Sequence, residues 1–209
     1  SPDSFEKICA INPSKITEDQ FYAYEFELIK GLSGSGGNFL GEEEIQWLIK
    51  AEEVFKARSV ILKGEKERHF IIADSYFNNE QYEKALEEFE RIQDQSGIEL
   101  AEWMINNDQL KDGVVRIKEY PGEIPFESTE ITRVEDKSYL LVSYFKGPIY
   151  RYDKIRKMHA IIYAPHKYNW CDSLALKGSD IIIKLRDSSG TFIFNNISNK
   201  ISKTTNFPQ

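Results

Sequence analysis

Cysteine is nearly absent: Cys9 and Cys171 are the only two in 209 residues, and they fall in opposite halves of the chain. So separated a pair excludes a disulfide framework and a cysteine-based zinc ligand set, and two reduced thiols are expected. Histidine is scarce too. His69, His159 and His166 show no metal-ligand spacing, so no metal and no cofactor are expected. No apolar run approaches the roughly 20 residues of a spanning helix. The longest candidate strands are as short as Tyr139 to Phe145, and no membrane association is expected. The chain opens on Ser1-Pro2-Asp3 with neither a basic leader nor an apolar stretch, from which a cytoplasmic location is expected, with export as the alternative if a leader has been removed. Positive charge is in deficit: 27 Lys and Arg face 34 Asp and Glu, for a net charge of −7 and a pI near 5.2. Binding to a nucleic-acid backbone needs clustered Lys and Arg to displace counterions, so no nucleic-acid partner is expected. An acidic chain suits a basic protein partner instead, because opposite potentials speed encounter.

What is present is enough for a packed fold. Apolar residues make up 41% and aromatics 13%, above the range of disordered chains, while 29% charged residues and a mean hydropathy of −0.49 supply a solvated surface. Apolar positions recur at helical spacing from about Thr17 to Asn107 and switch to two-residue alternation from about Gly113. The expected fold is therefore α+β, with an antiparallel helical part over 1–110 followed by an antiparallel β-meander part over 111–209. The first long helix is expected to start after the N-cap Thr17 and to end at Gly31; a second is expected from Glu42 to about Leu62. Between them, Gly31 to Gly41 holds five glycines. It lacks the Gly-Lys-Ser/Thr of a phosphate loop and puts Phe39 where a dinucleotide fingerprint needs glycine, so it reads as a surface loop.

Eight strands are expected in the second half: Val114 to Lys118, Glu130 to Val134, Tyr139 to Phe145, Ile149 to Tyr152, Ala160 to Tyr163, Ser173 to Leu176, Ile181 to Leu185 and Thr191 to Phe194. Turn residues separate them, as at Lys146-Gly147-Pro148 and Lys177-Gly178-Ser179. The stretch Tyr139 to Phe145 followed by Ile149 to Asp153 is echoed, 41 to 42 residues on, by Asp180 to Arg186 followed by Phe192 to Asn195. That interval is similar to the blade length of β-propellers, whose blades are four-stranded meanders. Two such units make an open pair, since a closed ring needs about four.

The stretch from Ala73 through Tyr76, Tyr82 and Ala85 to Phe89 and Ile92 resembles a tetratricopeptide repeat, with small residues at Ala73 and Ala85 and larger knobs around them. Ala51 and Phe55 precede Ala85 and Phe89 by the 34-residue period of that family, and Trp103 follows His69 by the same interval. The resemblance covers about residues 42–107. It implies a non-catalytic protein that binds a partner protein in a helical groove, here around Trp47, Phe55, Tyr76 and Tyr82, with Glu83 and Glu87 beside them. The charged run Glu83, Lys84, Glu87, Glu88, Glu90 and Arg91 reads as a solvated helix face. Two alternatives stand. A bacterial immunity or antitoxin protein that neutralises a basic toxin enzyme fits the acidity and the Lys-, Ile- and Asn-rich composition. A small cysteine-dependent hydrolase would use His166 and Cys171, although residues packed into one short loop rarely converge on one atom. His69, inside the repeat-like helix, reads as a packing or surface histidine. Nothing in the pattern sets the oligomeric state.

Overall fold

The structure, a computed structural model, describes residues 2–34, 39–107, 113–125, 129–144, 147–164, 171–186 and 190–204. Among them, six α-helices precede nine strands in two antiparallel sheets, an α+β order with the helices first and β-meanders after. The chain divides into two compact units, Ser1–Gln93 and Asp94–Gln209.

The first unit holds α1 (Pro2–Cys9), a 3-10 turn at Pro13–Lys15, α2 (Glu18–Gly34), α3 (Glu42–Ala57), α4 (Glu65–Asn78) and α5 (Tyr82–Ile92). A reciprocal cap starts α2: Thr17 Oγ1 accepts from the Gln20 N–H at 3.2 Å, and Gln20 Oε1 accepts from the Thr17 N–H at 2.9 Å. The helix runs past Gly31 to Gly34, because one glycine costs a helix only about 1 kcal/mol. Part of the expected loop is therefore helical; of the rest, residues 35–38 lie outside the described set and Phe39 to Gly41 lead into α3. α3 stops at Ala57, short of Leu62, where Ser59 takes a positive φ of 59° and turns the chain. A three-residue turn with Glu80 at φ 62° joins α4 to α5. The two run antiparallel: Phe77 meets Tyr82 at 5.3 Å beside the turn, and Phe70 meets Phe89 at 6.4 Å further along. Ala51, Ala73 and Ala85 are fully buried. Phe21 of α2 stacks on Trp47 at 6.2 Å and meets Phe55 edge-on at 5.6 Å, tying α2 to α3.

The second unit begins with α6 (Gln95–Asn107), followed by β1 (Tyr120–Pro121), β2 (Glu130–Glu135), β3 (Tyr139–Tyr144), β4 (Ile149–Asp153), β5 (Met158–Tyr163), β6 (Cys171–Lys177), β7 (Asp180–Leu185), β8 (Thr191–Asn195) and β9 (Lys200–Thr204). The sheets run β1-β5-β4-β3-β2 and β6-β7-β8-β9. The division at Gln93 and Asp94 differs from the boundary near residue 110 that periodicity marks, because α6 packs with the strands: Trp103 meets Tyr163 at 6.1 Å, and Asn107 Oδ1 accepts from the Arg116 N–H at 2.7 Å. Of the expected strand over Val114 to Lys118 only a bridge, Val114 to Lys200, is formed, while β1 and β9 had no clear alternation to announce them.

Positions 41 to 42 residues apart occupy matching places. Tyr139 pairs with Asp153 across β3 and β4, and Asp180 pairs with Asn195 across β7 and β8. Asp153 Oδ1 accepts from the N–H groups of Ile155 and Arg156, and Asn195 Oδ1 from those of Ile197 and Ser198. Each turn then closes on a left-handed residue, Lys157 at φ 57° and Asn199 at φ 52°.

Candidate functional site

Helical periodicity places charged groups inside the first unit. On α3, Leu48, Ala51, Glu52 and Phe55 form an i, i+3, i+4, i+7 stripe, and on α5 Ala85, Glu88, Phe89 and Ile92 do the same. Glu52 and Glu88 are thus carried into the interior, where α4 supplies Arg68 and His69, each 1% exposed. His69 Nε2 lies 2.8 Å from Glu52 and Nδ1 2.5 Å from Glu88. Arg68 binds Glu25 of α2 through Nε and Glu52 through one terminal nitrogen, and donates from the other to the Lys63 carbonyl at 2.7 Å. Its guanidinium sits 5.0 Å over the Phe21 ring. The network joins α2, α3, α4 and α5.

Burial alone would push the His69 ring down, but hydrogen bonds and charge from Glu52 and Glu88 outweigh it and raise its pKa to about 9. Burial likewise opposes ionisation of Glu52, yet His69 and Arg68 hold that carboxyl below its ordinary value. Glu25 goes the other way, its burial outweighing Arg68. Because the folded value of His69 lies above the reference value of 6.5, its contribution is complete below about pH 6.5 and is lost as pH rises through about 9. The amount is on the order of 3 kcal/mol. Urea unfolding followed by helical circular dichroism should show that alkaline loss in the parent protein and not in a His69→Gln variant.

A second interior cluster lies within the other unit. Glu99 of α6, its side chain wholly buried, meets His159 Nε2 at 2.9 and 3.0 Å, and accepts from Tyr150 Oη at 3.3 Å and Gln95 Nε2 at 2.9 Å. His159 Nδ1 reaches the Gly122 carbonyl at 3.0 Å, and Tyr120 stacks on the ring at 5.7 Å. Burial, followed by the charges of Glu99 and Glu102, pushes the Tyr120 and Tyr150 hydroxyls well above the ordinary phenol value. The Glu99–His159 contacts and the phenols around them hold α6 on the sheet.

The residues of the expected groove are placed otherwise. Trp47, Phe55, Tyr76 and Tyr82 are buried core residues of the first unit, with the Trp47 indole N–H donating to the Ile11 carbonyl at 2.9 Å. An aromatic at a helix crossing is recruited by packing before it can line a groove. Glu83 and Glu87 do face solvent, as do Glu90 and Arg91, whereas Glu88 leaves the expected solvated run for the interior. At the start of α3, exposed Glu42 accepts from Gln81 and Lys84 at 3.1 Å each, so the acidic first turns of α3 and α5 are neighbours. Of the hydrolase pair, His166 lies outside the described residues. Cys171 is buried, which pushes its thiol up to about 12, and burial with Glu44 and Glu43 raises Cys9 to about 11. Thiols held protonated are poor nucleophiles. No cluster of three or more metal-ligating side chains occurs among the described residues, and no described helix is long and apolar enough to cross a membrane.

Charge is divided as unevenly as architecture. Ser1–Gln93 carries 19 acidic and 11 basic residues, and Asp94–Gln209 carries 15 and 16, so net charges of −8 and +1 make up the total of −7. Comparison with known protein families, curated proteins and solved structures finds no match to this chain.

Proposed function

We propose that this protein is a non-catalytic interaction protein whose acidic helical unit docks a basic surface on a partner protein. The observation that carries the reading is the confinement of the whole charge excess to Ser1–Gln93. The buried network takes Glu25, Glu52 and Glu88 inside along with Arg68 and His69, so most of that excess stays at the surface. The solvent-facing carboxylates of α3 and α5, Glu42, Glu43, Glu83 and Glu87, then supply the field that steers a basic partner. The tetratricopeptide resemblance supports the same role through α3 to α5, with contact made by exposed acidic faces in place of the aromatic groove.

The test is capture of a partner at low and high salt by the parent protein and by a Glu83→Lys/Glu87→Lys variant. Retention of a basic protein that falls at least about tenfold on charge reversal, and falls again as salt shortens the Debye length, supports the reading. Retention indifferent to both removes it. If the captured protein is an enzyme that loses activity in the complex, the role is that of an inhibitor; if its activity is unchanged, the role is that of an adaptor.

A further inference from the structure

Among the described residues, no helix residue lines the cleft over the β2–β3 end of the first sheet. Cross-strand pairing puts Arg133, Val142 and Tyr150 on one face, with Glu135, Leu140 and Tyr152 in the adjacent row of the same face. α6 covers the β4–β5 end, where Glu99 meets Tyr150 and His159. Over β2 and β3 an open cleft of about 240 Å3 remains, floored by Leu140, Val142, Tyr144 and Tyr152. That volume lies just below the roughly 300–1,000 Å3 of pockets for drug-sized ligands, so the occupant is small.

The rim sets the charge of that occupant. Glu123, Glu130 and Arg133 are the cleft's charged lining residues. Arg133 lies 3.8 Å from Glu130 and offsets its charge at the rim, while Glu123 has no hydrogen-bond or ion-pair partner among the described residues. An apolar floor with two phenol rings beside a carboxylate that has no partner among the described residues is the arrangement that attracts an organic cation: the rings favour positive charge and the carboxylate accepts its N–H groups.

We propose that the β2–β3 cleft binds a small organic cation, an alkylammonium or guanidinium group attached to an apolar stem, with Glu123 as its counter-charge. This site is independent of the acidic helical unit, and either can fail without the other. Free amines and the side chains of a basic peptide share the chemistry.

The experiment is a titration of the full chain, followed by backbone amide NMR, with phenethylammonium, neutral 2-phenylethanol, anionic 3-phenylpropionate and the peptide acetyl-Gly-Arg-Gly-amide. Saturable shifts at Leu140, Val142 and Tyr144 are expected with phenethylammonium, about tenfold weaker with the alcohol and absent with the acid. Glu123→Gln, a change at an exposed rim position, is expected to remove that tenfold preference. Arg133→Gln, which frees Glu130, is expected to strengthen cation binding several-fold. Tighter binding of the peptide than of the amine identifies a protein side chain as the source, and the reverse identifies a free amine. Equal binding of the amine and the alcohol, an unchanged preference in Glu123→Gln, or no saturable shift with either cation overturns the proposal.

Discussion

Arg68→Ala is expected to destabilise the helical unit by about 3–5 kcal/mol, the usual cost of removing one partner from a buried ionic network. Alanine leaves the Glu25 and Glu52 carboxylates and the Lys63 carbonyl without the guanidinium that now serves all three, and it empties the space beneath Phe21. Water does not readily replace it at a side chain that is 1% exposed. Arg68→Lys should recover only part of the loss, since an ammonium on a shorter reach lacks the planar fork that addresses two carboxylates and a carbonyl at once. Arg68→Met combined with Glu25→Gln and Glu52→Gln separates charge from packing: with no carboxylate left unpaired, its loss should be smaller than that of Arg68→Ala alone. Urea unfolding of the four proteins, read by helical circular dichroism, measures the series. A loss below about 1 kcal/mol for Arg68→Ala would mean that the carboxylates find other partners and that the network does not hold the four helices together.

The same residues show what the sequence does and does not disclose. Periodicity marks the helices, the switch to strands and the antiparallel order of both, because those depend on local apolar spacing. It also contains the network in outline: Glu52 falls three or four residues from Phe55 and Leu48, and Glu88 three or four from Ala85 and Ile92, each on an apolar stripe. A carboxylate in a core stripe announces a buried cation elsewhere, and Arg68-His69 was the available pair. Reading α5 as one charged face hid Glu88, and reading His69 alone hid its two partners. Aromatics mislead in the opposite direction. Trp47, Phe55, Tyr76 and Tyr82 stand where either a groove or a core would put them, and here they join the aliphatic core of the first unit. The allegiance of α6 lay beyond local spacing, because an amphipathic helix shows that it packs on something without showing on what. Long-range pairs such as Glu99 with His159 and Tyr150, and Trp103 with Tyr163, assign it to the sheets.

Glu99→Ala is the corresponding expectation for the second unit, again a loss of about 3–5 kcal/mol. Four groups lean on that carboxylate: the His159 ring, the Tyr150 hydroxyl, the Gln95 amide and, through the stacked His159, the Tyr120 ring. With alanine in its place His159 keeps the Gly122 carbonyl at one nitrogen and faces an empty, dry space at the other. Glu99→Gln keeps one acceptor oxygen and nearly the same volume, so its loss should be held to roughly 1–3 kcal/mol. Because Glu99 lies on α6 and His159 on β5, the damage should appear first as undocking of the helix. Hydrogen exchange resolved by peptide is the suitable measurement: in Glu99→Ala, the amides of Gln95–Asn107 and Met158–Tyr163 should lose protection together while those of α4 and α5 keep theirs. Parallel loss in α4 and α5 would show instead that the two units unfold as one, and unchanged protection in α6 would show that the pair with His159 does not hold the helix.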